Sequence, residues 1–247
     1  SIQSLIHDGV VDDIVGNYGM VVVDECHHLS AFTFESVIRQ CKCRYVLGLS
    51  ATLTRKDGHH PIIFMQCGPV RYRVNDRQQA QERPFDHRVV VRETGLQLPS
   101  SEDGEQPKPS IHDIYEMLVH DGKRNQMIVD DVQAVLKEGR SPVVITERKE
   151  HLAWLAEQFR NVQNLFVMQG GMRRKALVEI QNAFAAVPQN EPRLLLATGR
   201  FLGEGFDDPR LDTLFLTMPI SWRGTLAQYA GRLHRLYDRK TKVVIYD

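Results

Sequence analysis

Nowhere does the 247-residue chain present a run approaching the roughly 20 consecutive apolar residues of a membrane-spanning helix. Its first residues lack the basic-then-apolar order of a secretory signal. No membrane partner is expected. Cysteine is scarce: Cys26, Cys41, Cys43 and Cys67 are too few and too irregularly spaced for the disulfide framework of a secreted domain. A reduced setting, cytoplasmic or nuclear in a eukaryote, is therefore expected. Neither sign of charge prevails, with 31 Lys and Arg against 31 Asp and Glu, so no overall positive field advertises a polyanionic partner. Any such contact must be local, and from Arg223 to the end six Lys or Arg do face only two Asp. Cys41-x-Cys43, His27-His28 and His59-His60 invite a zinc site, but none has paired C-x-x-C spacing. What remains is ordinary globular material, 42% hydrophobic and 25% charged, enough for one large or two medium domains.

From Gly19 to about residue 75, short apolar strands alternate with helical periodicity. Val21 to Val23 reads as a strand, Phe34, Val37, Ile38 and Cys41 fall at i, i+3, i+4 and i+7, and Tyr45 to Leu49 forms the next strand. Non-alternating apolar runs of this length suit a parallel sheet covered by helices on both faces. Residues 76–110 change character. Polar Arg77 to Glu82 and a short β-like run at Val89 to Val91 lead into Pro99 to Pro109, which has too little apolar material for a core and reads as an exposed, mobile boundary loop. From Ile111 to residue 247 the alternation resumes. A helix carries Ile128, Val132, Val135 and Leu136, and another carries Leu152, Leu155, Ala156 and Phe159. Strands are expected at Val143 to Thr146, Leu165 to Met168, Leu194 to Ala197, Thr213 to Leu216 and Val243 to Tyr246, with a helix near Thr225 to Leu236. The fold class is α/β: residues 1–75 and 111–247 form two domains joined by the 76–110 segment. No internal repeat occurs at a fixed period.

Adjacent carboxylates, Asp24 and Glu25, follow the Val21 to Val23 strand, where an open α/β sheet presents its ligand chemistry. Such a pair can hold Mg²⁺ and accept a proton from an attacking water. Gln228, Gly231, Arg232 and Arg235 fall at i, i+3, i+4 and i+7, one stripe of a helix. Between these, Ala197-Thr198-Gly199 opens a Gly-rich turn running to Gly205-Phe206-Asp207, where backbone can approach a phosphate or ribose.

Asp24-Glu25-Cys26-His27-His28, Ser50-Ala51-Thr52 and Gln228-x-x-Gly231-Arg232-x-x-Arg235 together resemble motifs II, III and VI of the superfamily-two (DEAD/DEAH-like) helicases and translocases. Val143 to Leu152, with the Gln169-Gly170-Gly171 loop after it, resembles motif IV and the segment that follows it, and Ala197 to Asp207 resembles motif V. The resemblance implies two RecA-like domains binding ATP and magnesium between them, with nucleic acid as partner, DNA favoured over RNA. By it, Asp24 would hold the metal and Glu25 activate water. Arg235 would be the arginine finger, Arg232 the second phosphate contact, and Gln228 their companion in the site. Gly205 and Asp207 would face the nucleotide, and His28, Ser50 and Thr52 would couple the site to movement. Thr146, Arg148, Gly170 and Thr198 would track the nucleic-acid backbone. The continuation Arg55-Lys56-Asp57 looks like the XPB-like branch of duplex-DNA translocases, with Lys56 where that branch usually has Glu.

No G-x-x-x-x-G-K-[ST] phosphate loop occurs, and the only Gly-Lys, Gly122-Lys123, lacks its context. The expectation is a first domain that starts after motif I, in a fragment of a longer motor that is inactive alone. An RNA helicase or restriction-type motor subunit is the alternative within enzymes. A non-catalytic nucleic-acid-binding module is the alternative outside them.

Overall fold

The computed structural model describes residues 5–7, 10–26, 32–50, 61–75, 81–96, 109–199, 206–220 and 223–247, with backbone alone at His7, at 32–35 and at Arg223. The chain divides into two compact units, Ser1–Asp76 and Arg77–Asp247.

In the first unit, β1 (Ile6–His7) and β2 (Val10–Val11) form a small antiparallel pair. β3 (Met20–Val23) and β4 (Tyr45–Gly48) pair in parallel, Met20 opposite Tyr45 and Val23 opposite Gly48. The chain between them forms α1 (Phe32–Gln40), and α2 (Pro61–Cys67) follows β4. Val23, Cys26, Ile38 and Ile63 are buried together, so the helices cover one side of this sheet.

The second unit is a six-stranded, wholly parallel sheet. In chain order it comprises β5 (Asp86–Val90), α3 (Ile111–His120), α4 (Gly122–Lys137), β6 (Pro142–Thr146), α5 (Lys149–Gln158), β7 (Leu165–Met168), α6 (Arg174–Ala186), β8 (Leu194–Thr198), β9 (Thr213–Leu216), α7 (Arg223–Leu233) and β10 (Lys242–Tyr246). The strands lie in the order β5-β10-β9-β6-β8-β7. Alternation sorts their side chains into two cores. Val143, Ile145, Leu195, Ala197 and Leu214 meet Phe184, Tyr229 and Leu233 of α6 and α7. Val144, Leu194, Leu196 and Phe215 meet Ile128, Val132, Leu152 and Leu155 of α4 and α5. A strand with a helix on each face must be apolar at every position, which is why β6 and β8 read as unbroken apolar runs.

Within the segment expected to join the two domains, Asp86–Val90 pairs in parallel with β10, and Phe85 just before it is buried in the second unit's core. Ser110 caps α3 by a reciprocal capping box with Asp113. The Pro99 to Pro109 stretch, apart from Pro109 itself, lies outside the described residues.

Candidate functional site

Where β3 ends, the chain turns through Asp24 and Glu25 beside the end of β4. Leu49 N–H donates to Val23 O at 2.8 Å, and Cys26 N–H donates to Leu49 O at 2.9 Å. Two parallel strands thus bring the carboxylates and the half-buried Ser50 to one sheet edge. Glu25 has φ +51°, a left-handed conformation that a non-glycine residue adopts only when its surroundings dictate it. Asp24 Oδ1 accepts from Glu25 N–H at 2.9 Å, closing the turn. Asp24 is exposed and Glu25 half-buried. An exposed carboxylate oxygen is the ligand type a hydrated hard cation such as Mg²⁺ accepts, so the donor set fits that ion. His28 and Thr52, and the Arg55-Lys56-Asp57 triplet, lie outside the described residues.

In the second unit, Arg232 and Arg235 converge on Asp207. Arg235 Nε donates to Asp207 Oδ1 at 3.2 Å, a second guanidinium nitrogen lies 3.2 Å from Oδ2, and Arg232 is 4.0 Å from Oδ1. This is the forked geometry in which guanidinium meets a carboxylate or a phosphate. The helix is shorter than its spacing suggests: α7 ends at Leu233, and Arg235 follows on the turn. Buried Lys240 explains the stop. Its ammonium donates to Leu233 O at 2.7 Å and to Arg235 O at 3.0 Å, while Arg83 donates to His234 O at 2.8 Å. Three successive carbonyls that another helical turn would use are taken by two cations. Burial pushes the Lys240 ammonium down to about 8, against the pull of Asp212 and Asp208. Gln228 sits half-buried on the same helix, and Gly205 lies outside the described residues.

The expected nucleic-acid contacts divide. Thr146 is fully buried, and its hydroxyl pairs with His151 Nδ1 at 3.1 Å. A side chain sealed from solvent offers no face to a nucleic-acid backbone, so Thr146 serves the interior instead. Arg148 lies against α3, with its guanidinium 2.9 Å from His112 Nδ1 and over the Tyr115 ring at 5.0 Å. Thr198 is half-buried, with a hydroxyl sealed from solvent and without a hydrogen-bond partner. Gly170 lies in the turn after β7, beside Gly171 at φ +91°.

Sequence reasoning missed two groups. At Gly199 a Cβ would overlap both the Glu147 carboxyl and the Tyr229 hydroxyl, so the ends of β6 and β8 meet α7 where any larger side chain would have to displace those two groups. Burial raises the Glu147 carboxyl, and burial together with the charge of Glu147 raises the Tyr229 phenol. The second group is a buried chain running from Thr146 through His151 to Asn125 Oδ1 (3.1 Å) and on to Arg124, which reaches Thr217 O. Burial and the Arg124 charge hold His151 down to about 4. Neither group has a spacing signature, because each joins residues from separate elements.

The model of the type III restriction enzyme res subunit family matches residues 2–55. "Putative ATP-dependent RNA helicase L396" of Acanthamoeba polyphaga mimivirus is 25% identical over 245 residues, 95% of this chain and 44% of that protein. "Probable helicase D10" of Escherichia phage T5 is 25% identical over 235 residues, 93% of this chain and 48% of that protein. Among solved structures, "the fragment structure of a putative HsdR subunit of a type I restriction enzyme from Vibrio vulnificus YJ016" superposes with a TM-score of 0.61 at 18% identity, covering 93% of this chain and 43% of that one. The chain therefore spans less than half the length of each. The solved structure establishes the RecA-like α/β fold, and the curated relatives are helicases by name.

Proposed function

We propose that the chain carries two complementary parts of an ATP-driven DNA translocase or helicase of the XPB-like branch. The first unit supplies the water-activating and magnesium-holding carboxylates, and the second the guanidiniums that stabilise the triphosphate in its transition state. The observation that carries this reading is the pairing of Arg232 and Arg235 with Asp207 beside a helix end fixed by Lys240 and Arg83. The fixed helix end holds the backbone of both arginines in place before phosphate charge develops, which lowers the cost of aiming their cations at it. A triphosphate competing for the guanidiniums would draw Arg235 from a surface carboxylate, an exchange between two anionic partners.

Glu25 would accept the proton of the attacking water and Asp24 would hold magnesium, whose charge, when bound, neutralises that of the phosphates. Arg148, Gly170 and the solvent-exposed part of half-buried Thr198, its sealed hydroxyl excepted, are the proposed contacts to the strand, and His28, Ser50 and Thr52 the coupling residues. A restriction-type motor is the second reading, favoured by the family match over residues 2–55.

No phosphate-loop signature lies within these 247 residues, so the chain by itself should bind ATP weakly and turn it over negligibly. Turnover near 1 s⁻¹ or above, within the ordinary enzyme range, would overturn that expectation. In a protein carrying this chain together with a phosphate-binding loop, Glu25→Gln should abolish DNA-stimulated hydrolysis while ATP binding persists. Arg235→Ala should lower turnover by about 10³-fold or more. Near-normal hydrolysis by either variant refutes that residue's role, and stimulation by RNA but not by DNA refutes the substrate.

A further inference from the structure

Gly48, the last residue of β4, sits between two thiols. A Cβ placed there would lie 3.0 Å from Cys26 Sγ, 3.0 Å from Cys67 Sγ and 3.1 Å from Cys67 Cβ. The two sulfurs are therefore within about 6 Å of each other, the sum of two such contacts. Cys26 immediately follows Glu25 and is 2% exposed, and Cys67 ends α2 and is half-buried. A side chain at Gly48 would press on both sulfurs. Both are free thiols.

We propose that Cys26 and Cys67 form a reversible dithiol/disulfide site, oxidised by low-molecular-weight disulfides, that ties the carboxylate turn after β3 to the end of α2. Cys67, the more accessible, attacks the reagent RSSR through its thiolate fraction, kept small by burial that pushes the thiol up to about 11, expelling one RS⁻ and forming a mixed disulfide. The Cys26 thiolate then attacks the Cys67 sulfur and expels the second RS⁻. The two thiol protons pass to the two leaving groups, so the protein loses two electrons and RSSR becomes two RSH. Whether the tie slows hydrolysis rests on the proposed role of Glu25, but its formation does not.

The sequence makes the site easy to read, because trypsin releases Cys26 in peptide 1–39, Cys41 and Cys43 in two short peptides, and Cys67 in peptide 57–71. The native chain should be incubated with oxidised glutathione, digested without reduction and weighed. The expected product is peptide 1–39 joined to peptide 57–71, lighter by two hydrogens and separated again by dithiothreitol. In Cys26→Ser the product should stop at glutathione on Cys67. Retention of glutathione on Cys67 in the native wild-type chain would overturn the proposal. So would cross-linking mainly to Cys41 or Cys43, or an equal yield of the 26–67 link in urea, since a linkage indifferent to folding owes nothing to this geometry.

Discussion

Met20, Val22, Tyr45 and Leu47 stand 44 to 57% exposed on β3 and β4, whereas Val143, Val144, Leu194, Leu195 and Leu196 on β6 and β8 are wholly buried. Both pairs are parallel and apolar, so sequence pattern alone scarcely separates them. The difference lies in cover. In the second unit α4 and α5 close one face and α6 and α7 the other. In the first, among the described residues, α1 and α2 close a single face. Apolar strands thus show what a sheet is built to bury, and the helices show what it does bury.

This contrast can be tested in order of falling effect. Leu195→Ala should lower the stability of the second unit by about 3 to 5 kcal/mol, because it opens a cavity between fully packed layers. Leu47→Ala should change the first by about 0.5 kcal/mol or less, its side chain being nearly half exposed already. Denaturant unfolding of the two variants, followed by hydrogen exchange in β6 and β4, reads each unit separately, and equal losses would erase the distinction.

Acid should widen the gap between variants of the second unit. His151 is held neutral in the fold, down to about 4, against an ordinary value near 6.5. The unfolded chain therefore binds the proton first. The stability this contributes is complete above about pH 6.5 and lost as pH falls through 4, in total up to about 3 kcal/mol. His151→Gln should flatten the decline between these values in pH-dependent unfolding. An unchanged slope would mean that another group drives it.

Lys240→Met should uncap the carbonyls of Leu233 and Arg235 and lower stability by about 1.5 to 3 kcal/mol, the range for hydrogen bonds from charged donors. Exchange should rise at the end of α7 more than in β6, and a uniform rise would contradict a local cap. A comparably small effect belongs to the surface pair Arg92–Asp131, joined at 2.8 Å, where Arg92→Ala should cost about 0.2 to 1 kcal/mol by thermal unfolding.

How much could be read from the chain follows the same division. β6 to β10 announced themselves because strands buried on both faces are continuous apolar runs, and α4 and α5 because a helix on a sheet shows its 3.6-residue period. β5 was legible only in its tail: the pattern marked Val89 to Val91, while the strand is Asp86–Val90. An edge strand with exposed side chains can carry Asp86, His87 and Arg88 without penalty. In the candidate site, helical spacing brought Arg232 and Arg235 together in advance. It gave no hint that Lys240 ends the helix between them, or that Thr146 turns inward to His151, since those depend on elements meeting in space.

Because β10 lies between β5 and β9, the sheet of the second unit closes in an order unlike that of the chain. As the polypeptide emerges during synthesis, β5 appears first and its partner about 150 residues later, one of the longest-range pairings the fold contains and therefore one with a large loop-closure penalty. Phe85 must meanwhile wait for the core it plugs. Until Lys242–Tyr246 arrives, β5 is an unpaired strand edge on a nascent chain, the kind of surface that chaperones shield and neighbouring chains capture.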